Sequence, residues 1–226
     1  TSFIGNFSTR GGGIFNYLNS SPVIINTTFS ENSTGVPYGD AIENQASYPK
    51  IYNSIVWGDI RNSTSTPDIK NSIVKGSSDT ANGNIDSTGL TAEDIFNKSD
   101  NGDFSLNPFG PAINVGDNNL YAGTLATEKD LTGNNRLFAG LPDPDVIDLG
   151  AYELQGEPLK ITPTDGILYV NKTATGNKTG DSWVNAIPEL ADALVWSKQN
   201  EETSWASTPL KIYVAKGIYK PLYSPE

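Results

Sequence analysis

The stretch PVIINTTF, residues 22–29, recurs twice along the chain, as PKIYNSIV at residues 49–56 and as PDIKNSIV at residues 67–74. A partial copy lies at the N-terminus, where residues 2–6, SFIGN, match residues 28–32, TFSEN. The equivalent apolar positions of the four copies are separated by 26, 27 and 18 residues; they are Phe3, Phe29, Val56 and Val74. A period in the twenties indicates a solenoid, in which each repeat packs on the next.

Each copy has the sequence character of a short β-strand. Apolar and β-branched residues alternate, a proline precedes each run, and a Gly, Asn or Ser cluster bounds it. Alternation with a period of two would put Ile24, Asn26 and Thr28 on one face. Stacked strands would place equivalent residues in columns about 4.8 Å apart. The two expected columns are a buried one of Ile24, Ile51 and Ile69, and a hydrogen-bonded amide ladder of Asn26, Asn53 and Asn71.

A second similarity lies between the copies, where residues 12–16, GGIFN, resemble residues 40–44, DAIEN. The first two full repeats therefore contain a strand, a turn and another strand. No segment of this region has the spacing of an amphipathic helix, so a repeat of helices and loops is the less favoured alternative. The pattern predicts an all-β chain folded as a parallel β-helix.

The composition excludes several classes of function. The chain of 226 residues carries a net charge of −11, which disfavours nucleic-acid and anionic-membrane partners. Without Cys or His it has no disulfide, thiolate nucleophile, Ser-His-Asp triad or usual zinc site. No apolar run approaches 18 residues, so we expect no membrane insertion. The chain opens within a strand pattern and contains no Met, and we expect it to be a piece of a longer extracellular protein.

Four motifs follow the repeats in order: DFSL at residues 103–106, PAINVGD at 111–117, DLTGNNR at 130–136 and VIDLGAYE at 146–153. The series resembles the closing segment of bacterial surface proteins with pectate-lyase-like β-helices, the choice-of-anchor Q group. The sequences GGGIFN and SPVIINTTF resemble coils of that group. This chain departs from them at Asp40, where the group has Gly, and at Thr27, Ser54 and Ser72, where members often carry Cys. The resemblance implies a right-handed parallel β-helix, or solenoid, that ends in a closing cap segment.

A second resemblance to the same kind of β-helix begins after residue 166. The sequence YVNKTATGNKTGDSWVNA at residues 169–186, a helical pattern at 187–198 and IYVAKGIYKP at 212–221 are similar to its N-terminal part. Pro188 and Glu189 suit the first turn of the helix. Its predicted apolar stripe consists of Leu190, Ala191, Leu194 and Val195. We expect this helix to cap the open start of a second β-helix.

Four segments are therefore expected. Residues 1–78 would form the last coils of a β-helix, residues 79–155 its closing segment, residues 156–166 a linker, and residues 167–226 the N-terminal cap and first coil of a following β-helix. Within the closing segment, Thr91 is predicted to cap a short helical turn. The parent protein would carry such domains in tandem.

Two features are candidates for a ligand site. Asp100 and Asp103 lie in an oxygen-rich turn that could bind calcium, as could residues 143–145, although Asn and Asp also simply form turns. Trp57 should lie on the opposite face from Val56. There an exposed ring could stack on a sugar, or it could pack beneath a loop.

Acid–base chemistry has weaker support, and no catalytic or cofactor-binding residue is assigned. β-Helical polysaccharide lyases combine calcium-binding acids with an Arg or Lys base, as the resemblance implies. We expect Arg136 to form a salt bridge with Asp130 or Asp148 rather than to act in catalysis, and Arg10 to lie near Asp40 and Glu43.

Paired carboxylates are a further route to chemistry. Asp40 with Glu43, or Asp59 with Asp68, could approach across coils, but an acidic chain supplies such pairs by chance.

The function that these features favour is mechanical and adhesive. We expect an extracellular, surface-displayed β-helix module of a bacterial protein, with glycans or cell-surface molecules and its own tandem domains as partners. The alternative is a polysaccharide lyase or glycoside hydrolase whose catalytic coils lie outside this chain. A wall of Asn, Thr and aromatic residues would favour binding, whereas three or more acids beside an Arg or Lys would favour the enzyme.

Overall fold

The structure, a computed structural model, describes residues 1–35, 39–138, 145–155, 160–200 and 209–219. It divides into two compact units, Thr1–Glu157 and Pro158–Glu226. Within the described ranges, both units contain parallel β-pairs, and strands outnumber helices. Among the described residues no helix has the length and apolar character to cross a membrane.

The strands of the first unit are short and regularly spaced. In chain order they are β1 (Ser2–Ile4), β2 (Phe7–Ser8), β3 (Ile14–Tyr17), β4 (Val23–Ile25), β5 (Thr28–Ser30), β6 (Ser33–Thr34), β7 (Ile42–Gln45), β8 (Lys50–Tyr52), β9 (Ile55–Trp57), β10 (Ile60–Ser63), β11 (Asp68–Lys70) and β12 (Ile73–Val74). A helical turn α1 (Ala92–Ile95) and an antiparallel hairpin, β13 (Phe96–Lys98) and β14 (Asp103–Leu106), follow.

Three parallel sheets carry the repeats. We call them sheet A (β1-β5-β9-β12), sheet B (β3-β7-β10) and sheet C (β4-β8-β11). One strand from each sheet, taken in the order B, C, A, makes a rung, and the rungs are β3–β5, β7–β9 and β10–β12. A parallel pair of β2 and β6 lies beside them. The structure therefore confirms a mostly β chain with parallel sheets, which is the coarser part of the prediction.

The strand register confirms the predicted columns of apolar residues. In sheet A, Phe3 pairs with Phe29, Phe29 with Val56, and Val56 with Val74. In sheet C, Ile51 lies between Ile24 and Ile69. Side chains from all three sheets meet in one core, so the rungs share a single interior. The rings of Phe3 and Phe29 stack with centroids 4.9 Å apart.

The 18-residue interval has a simple structural reason. Between β5 and β7 the chain makes an excursion through β6, whereas β9 passes directly into β10 through Gly58 and Asp59. The third rung is shorter, yet its strands keep the register of the second. The stack also extends beyond residue 78, because Ile85 makes a parallel bridge to Ile73.

Two expectations about the repeat are wrong. Asn26, Asn53 and Asn71 do not form a ladder; each has a positive φ, of 44°, 47° and 43°, and turns the chain between sheets C and A. Asn tolerates this left-handed region better than most residues. Because the chain bends there, Ile24 and Thr28 belong to different sheets and do not share a face.

The amide ladder is instead in sheet B. Asn16 Nδ2 donates to Asn44 Oδ1 at 2.8 Å, and Asn44 Nδ2 donates to Asn62 Oδ1 at 2.8 Å. A second ladder follows the Asn turns, where Ser54 Oγ accepts from the Thr27 N–H and Ser72 Oγ from the Ser54 N–H. These hydroxyls occupy the positions at which members of the choice-of-anchor Q group, which this chain resembles, often carry Cys.

The closing segment packs on the outer face of sheet A. Val56 points into the shared core, and its neighbours Ile55 and Trp57 point the other way. They contact a second core that the closing segment supplies, made of Ile95, Phe96, Phe104, Leu106, Ala112, Ile113 and Leu149. Sheet A is therefore buried on both faces. The predicted turn at α1 is confirmed, since the Thr91 N–H donates to Asp94 Oδ2 at 2.7 Å.

The second unit contains a parallel pair, β15 (Ile167–Val170) and β16 (Lys211–Val214), and the helix α2 (Leu190–Gln199). Residues 161–166 do not act as a linker, because Ile161 is buried and the Thr162 N–H donates to the Thr179 carbonyl at 2.8 Å. Residues 156–159, the start of the predicted linker, lie outside the described residues.

The helix differs from its prediction at its start and in its buried face. It begins at Leu190 rather than Ile187, because Ile187 is buried and bridges to Val170. Glu189, just before the helix, pairs with Lys172 at 2.9 Å. The predicted apolar stripe is wrong in that Ala193 is fully buried while Leu194 is exposed.

Candidate functional site

The outer face of sheet B presents side chains of several chemical kinds. Alternation turns Ile14, Asn16 and their equivalents inward and the intervening residues outward. The register aligns the outward residues in two rows, Phe15-Glu43-Arg61 and Tyr17-Gln45-Ser63. An aromatic pair, a carboxylate, a guanidinium, an amide and a hydroxyl thus occupy neighbouring positions. We call these six residues and Arg10 the sheet B wall.

Two arginines meet on one carboxylate in this wall. Arg10 donates from Nε to Glu43 Oε2 at 3.0 Å and from Nη2 to Glu43 Oε1. Arg61 reaches Glu43 Oε1 from the next strand, with Nη1 at 3.2 Å. The Glu43 side chain is fully buried, whereas the side chains of Arg10 and Arg61 are 38% and 40% exposed. Glu43 therefore lies beneath the guanidinium groups and fixes their positions.

The prediction that Arg10 lies near Glu43 is confirmed. Asp40 has another role, because its Oδ1 accepts from the N–H and the hydroxyl of Thr34, each at 3.0 Å. Asp68 likewise accepts from the Tyr52 hydroxyl and pairs with Lys70 at 3.4 Å. The Tyr52 hydroxyl holds the pKa of Asp68 below its usual range. Three of the four carboxylates considered as pairs from the sequence, those of Asp40, Glu43 and Asp68, are thus engaged in other contacts.

The arginines line a shallow depression of about 280 Å³, together with Gln45 and Ser63. Gln45 Oε1 accepts from Arg10 Nη2 at 2.8 Å, so the other polar group of the Gln45 side chain is its amide nitrogen, a donor. Beside the depression, the Phe15 ring lies 4.2 Å below the Arg10 guanidinium carbon, and Tyr17 lies 5.7 Å from Phe15 between ring centroids. Phe15 and Tyr17 are both exposed.

A second polar cluster is buried where the closing segment meets the rungs. Asp148 accepts from the N–H groups of Asn114 at 2.7 Å and Leu154 at 2.6 Å, and Glu153 Oε2 accepts from the Asp148 N–H at 3.1 Å. Burial raises the pKa of Asp148 to about 6. Burial and the Asp148 charge raise the pKa of Glu153 to about 9. Above the ordinary carboxyl range, near pH 4, these two side chains therefore hold protons that exposed carboxyl groups would release.

The expected salt bridge of Arg136 with Asp130 or Asp148 is wrong for the described residues. Arg136 Nη2 donates to the Gly150 carbonyl at 2.9 Å and to the Asn26 carbonyl at 3.4 Å. The oxygens of Asp130 are engaged by Thr132, Asn134 and Glu153 donors instead. Together the buried contacts make this cluster a structural link between motifs.

The candidate residues from the sequence do not come together. Trp57 is 8% exposed and belongs to the core beneath the closing segment, so the exposed ring that sugar stacking requires is absent there. Asp103 accepts from the N–H and hydroxyl of Ser105 and from Asn97, and Asp100 lies in the preceding helical turn. In the described ranges no group of three or more Asp or Glu side chains could hold a metal ion. Residues 143 and 144 of the second turn lie outside those ranges.

The features that the repeats share do not identify the sheet B wall. Its outward residues, Phe15 against Glu43 and Tyr17 against Gln45, are the positions at which the two similar segments differ. Variation between repeats at outward positions is therefore the sequence signal that could identify the wall.

In the second unit, Trp183 and Tyr213 are also exposed, and each packs edge-to-face on Tyr169.

Comparisons with known proteins add no relative. No family model, no curated protein and no solved structure matches this chain.

Proposed function

We propose that this chain is a structural and adhesive module of an extracellular bacterial surface protein, with a glycan-binding site on the sheet B wall. The rungs would form a right-handed parallel β-helix, and the closing segment would end it. The observation that carries the binding role is the adjacency of Phe15 and Tyr17 to the polar depression. Aromatic faces next to amide, hydroxyl and guanidinium groups suit sugars, which offer both C–H faces and hydroxyls.

The structural role rests on how the rungs are joined. Two ladders of side-chain hydrogen bonds run through successive rungs, and sheet A is buried on both faces. Such a stack resists bending, because each rung is tied to the next by backbone and side-chain bonds alike. The resemblance to surface proteins of the choice-of-anchor Q group supports the extracellular location.

The second unit would be the start of a further β-helix in the same parent protein. Its parallel pair β15 and β16 has four aligned residue pairs, as expected of two successive rungs. The helix α2 contacts β15 and would cover the end of the interior. Tandem modules of this kind would then be the chain's own partners.

The alternative is a polysaccharide lyase or glycoside hydrolase with further catalytic residues elsewhere in the parent. The contact of Arg10 and Arg61 with Glu43 favours it over other enzymes, since it places basic groups beside a carboxylate. Depolymerisation of a polysaccharide by the chain would support this alternative.

A glycan array and a depolymerisation screen, each with calcium and with a chelator, test the proposal. We expect retention of particular glycans without cleavage. Retention should be lost in Tyr17→Ala and kept in Tyr48→Ala, which removes an exposed ring outside the wall. If the parent chain retained no glycan, or if the two variants retained glycans equally, a glycan site on sheet B would be contradicted. Release of cleaved product would establish the enzymatic alternative.

A further inference from the structure

We propose that the open edge of sheet B binds an extended peptide of a partner protein, which adds to β10 as a parallel strand and carries the sequence Ile-x-Asn. This site is separate from the glycan site, since it uses the edge of the sheet and not its outer face. The basis is the juxtaposition of an unpaired strand edge, an apolar pocket and the last amide of a hydrogen-bonded ladder.

The first observation is that sheet B ends one strand earlier than its neighbours in the described part of the chain. Sheet A continues past the third rung, because Ile85 makes a parallel bridge to Ile73. Sheet C is covered there, because the Asn71 N–H donates to the Asn82 carbonyl at 3.0 Å. Within the described residues, β10 pairs only with β7 and is the edge strand of sheet B. One strand position is therefore open between two that are occupied.

The second observation concerns the backbone of β10. The Asp59 carbonyl accepts from the Ile42 N–H at 3.2 Å, and the Ser63 carbonyl also points toward β7. Alternate residues of a parallel ladder bond to the same neighbour, so the N–H and C=O groups of Ile60 and Asn62 face the open side. Such a row of donors and acceptors is a template for a further strand.

The third observation is a pocket where the inward side chains of a further strand would lie. Its volume is about 210 Å³, and its aliphatic lining consists of Ile60, Ile69, Val74 and Ile85. Ile42, in the rung above, is fully buried, whereas Ile60 is only half-buried. An Ile side chain that entered from the open strand position would cover this apolar surface and be stabilised by its own burial.

The fourth observation is the end of the amide ladder. Asn62 Oδ1 accepts from Asn44 Nδ2, and no described residue accepts from Asn62 Nδ2, which is a donor. Asn62 is exposed, whereas Asn44 is fully buried. An Asn in the next strand would accept from Asn62 and so repeat the two existing ladder bonds.

These features together define the sequence of the occupant. Sheet B has the same three-residue pattern in every rung, as IFN at residues 14–16, IEN at 42–44 and IRN at 60–62. In each rung the Ile enters the core, the Asn joins the ladder and the middle residue points outward. In strand addition the backbone supplies affinity, and pockets for alternate side chains supply specificity. The matching peptide therefore carries an Ile and, two positions later, an Asn.

The occupant comes from another protein rather than from this chain or a second copy of it. Every Ile-x-Asn segment of the chain already overlaps a strand of the first unit; they are residues 4–6, 14–16, 24–26, 42–44, 51–53, 60–62, 69–71 and 95–97. The segments outside the described ranges contain no Ile. At the other edge of sheet B, Asn16 of β3 is only 4% exposed, so a second copy does not present an open counterpart there.

Binding of synthetic peptides to the full 226-residue chain tests the proposal. The probe is a peptide with capped ends and the sequence DAIENQAS, that of residues 40–47, which carries the motif as IEN. We expect saturable binding of one peptide per chain by calorimetric titration. A peptide with Ser in place of Ile should have a dissociation constant at least about tenfold higher, as for the loss of one buried aliphatic side chain.

Methylation of single peptide nitrogens gives a matched pair of probes. In a parallel strand beside β10, the N–H of the peptide's Glu would donate to the Ile60 carbonyl, whereas the N–H of its Asn would point away. Methylating the Glu nitrogen should therefore abolish binding, and methylating the Asn nitrogen should leave binding in place. Both probes keep every side chain and leave the protein unaltered.

Two variants at one position of β10 locate the site. Asn62→Ala removes the ladder amide and keeps the backbone N–H, and we expect the dissociation constant to rise about fivefold, as for one hydrogen bond. Asn62→Pro also removes the N–H that faces the open side, a change that edge strands tolerate, and we expect it to abolish binding. Tyr48→Ala, which removes an exposed ring away from β10, should bind like the parent chain. Thermal unfolding establishes that each variant is folded.

The outcomes decide the proposal. Binding that is lost on methylation of Glu and in Asn62→Pro, but kept on methylation of Asn and in Tyr48→Ala, would establish strand addition at β10. Absence of peptide binding, or equal binding of the two methylated peptides, would overturn it. Self-association of the free chain that the peptide reverses, measured by sedimentation, would overturn the partner protein and assign the edge to a second copy.

Discussion

Asn53 and Asp117, 64 residues apart in sequence, hold each other through two hydrogen bonds: Asn53 Nδ2 donates to the Asp117 carbonyl, and the Asp117 N–H donates to Asn53 Oδ1, both at 2.9 Å. Asn26 reaches the Asp148 carbonyl at 2.8 Å and Asn71 the Val115 carbonyl at 3.3 Å in a related way. The repeated Asn column therefore joins the rungs to the closing segment rather than to one another.

Replacing Asn53 should loosen that junction. Asn53→Gly keeps the positive φ available, so it mainly removes the two hydrogen bonds, and we expect a loss of about 1–3 kcal/mol in the free energy of unfolding. Denaturant unfolding measures the loss, and faster hydrogen exchange at the Asp117 amide would localise it. Asn71→Gly, with a similar φ and one longer bond, is the control. Equal losses in the two variants would show that the reciprocal pair adds nothing.

Gly150 should be intolerant of any side chain. Its φ is +83°, and a Cβ there would lie 2.6 Å from Thr28 Oγ1 and 2.9 Å from Ile55 Cδ1. Gly102 has a φ of +76° with nothing within 4 Å of such a Cβ. We expect Gly102→Ala to cost about 1–2 kcal/mol from backbone strain alone, and Gly150→Ala about 1–3 kcal/mol more from the clash. Thermal unfolding of both variants measures the difference, and a cost confined to strain in both would refute the close approach.

The amide ladder should be weaker at its end than at its centre. Asn44→Ala breaks both ladder bonds and leaves the buried Asn16 amide without its acceptor, so we expect a loss of about 2–4 kcal/mol. Asn62→Ala breaks one bond at an exposed residue and should cost less than about 1.5 kcal/mol. Urea unfolding compares the two, and a larger loss for Asn62→Ala would contradict the ladder.

The Asp148–Glu153 pair predicts a pH dependence of stability. Both pKa values are raised in the folded state, so the folded chain binds more protons than the unfolded chain above the ordinary carboxyl range, near pH 4. The contribution is therefore largest at low pH and is lost as the pH rises toward about 9, the pKa of Glu153. Glu153→Gln removes the group that titrates last while its amide oxygen can still accept from the Asp148 N–H.

Urea unfolding at pH 5, 7 and 9 checks this expectation. The free energy of unfolding of Glu153→Gln should rise relative to that of the parent chain as the pH increases. Glu31→Gln, at an exposed position, should follow the parent chain throughout. A constant difference between Glu153→Gln and the parent would contradict the raised pKa.

The repeat columns could be predicted from the sequence because burial repeats the same residue type in each rung. Phe29 and Val56, or Ile24 and Ile51, occupy equivalent positions in the printed sequence and pair in the structure. The bend at Asn26 could not be predicted from alternation, because the alternating sequence pattern runs from Ile24 to Thr28 without a break. The clue was the residue type itself, because Asn is favoured where φ is positive.

The burial of Trp57 and the contact of Arg61 with Glu43 could not be predicted from the sequence for a different reason. Alternation correctly places Trp57 opposite Val56, but it does not say whether another segment covers that face. Whether Arg61 reaches Glu43 beside Arg10 depends on the register of strands in different rungs, and the order of residues along the chain does not give that register. Alternation predicts which way a side chain points, whereas its burial and its contacts depend on how distant segments of the chain pack.

The direct passage from β9 to β10 has an implication for how such a chain can change. Omitting the β6 excursion shortens the third rung and leaves its pairing with the second intact. The length of this connection therefore does not determine the register of the strands in the sheets. We expect insertions and deletions there to change the surface and to leave the pairing of the rungs intact. We expect a binding peptide or a small domain inserted between β9 and β10 to be tolerated, because the corresponding connections of two rungs already differ in length.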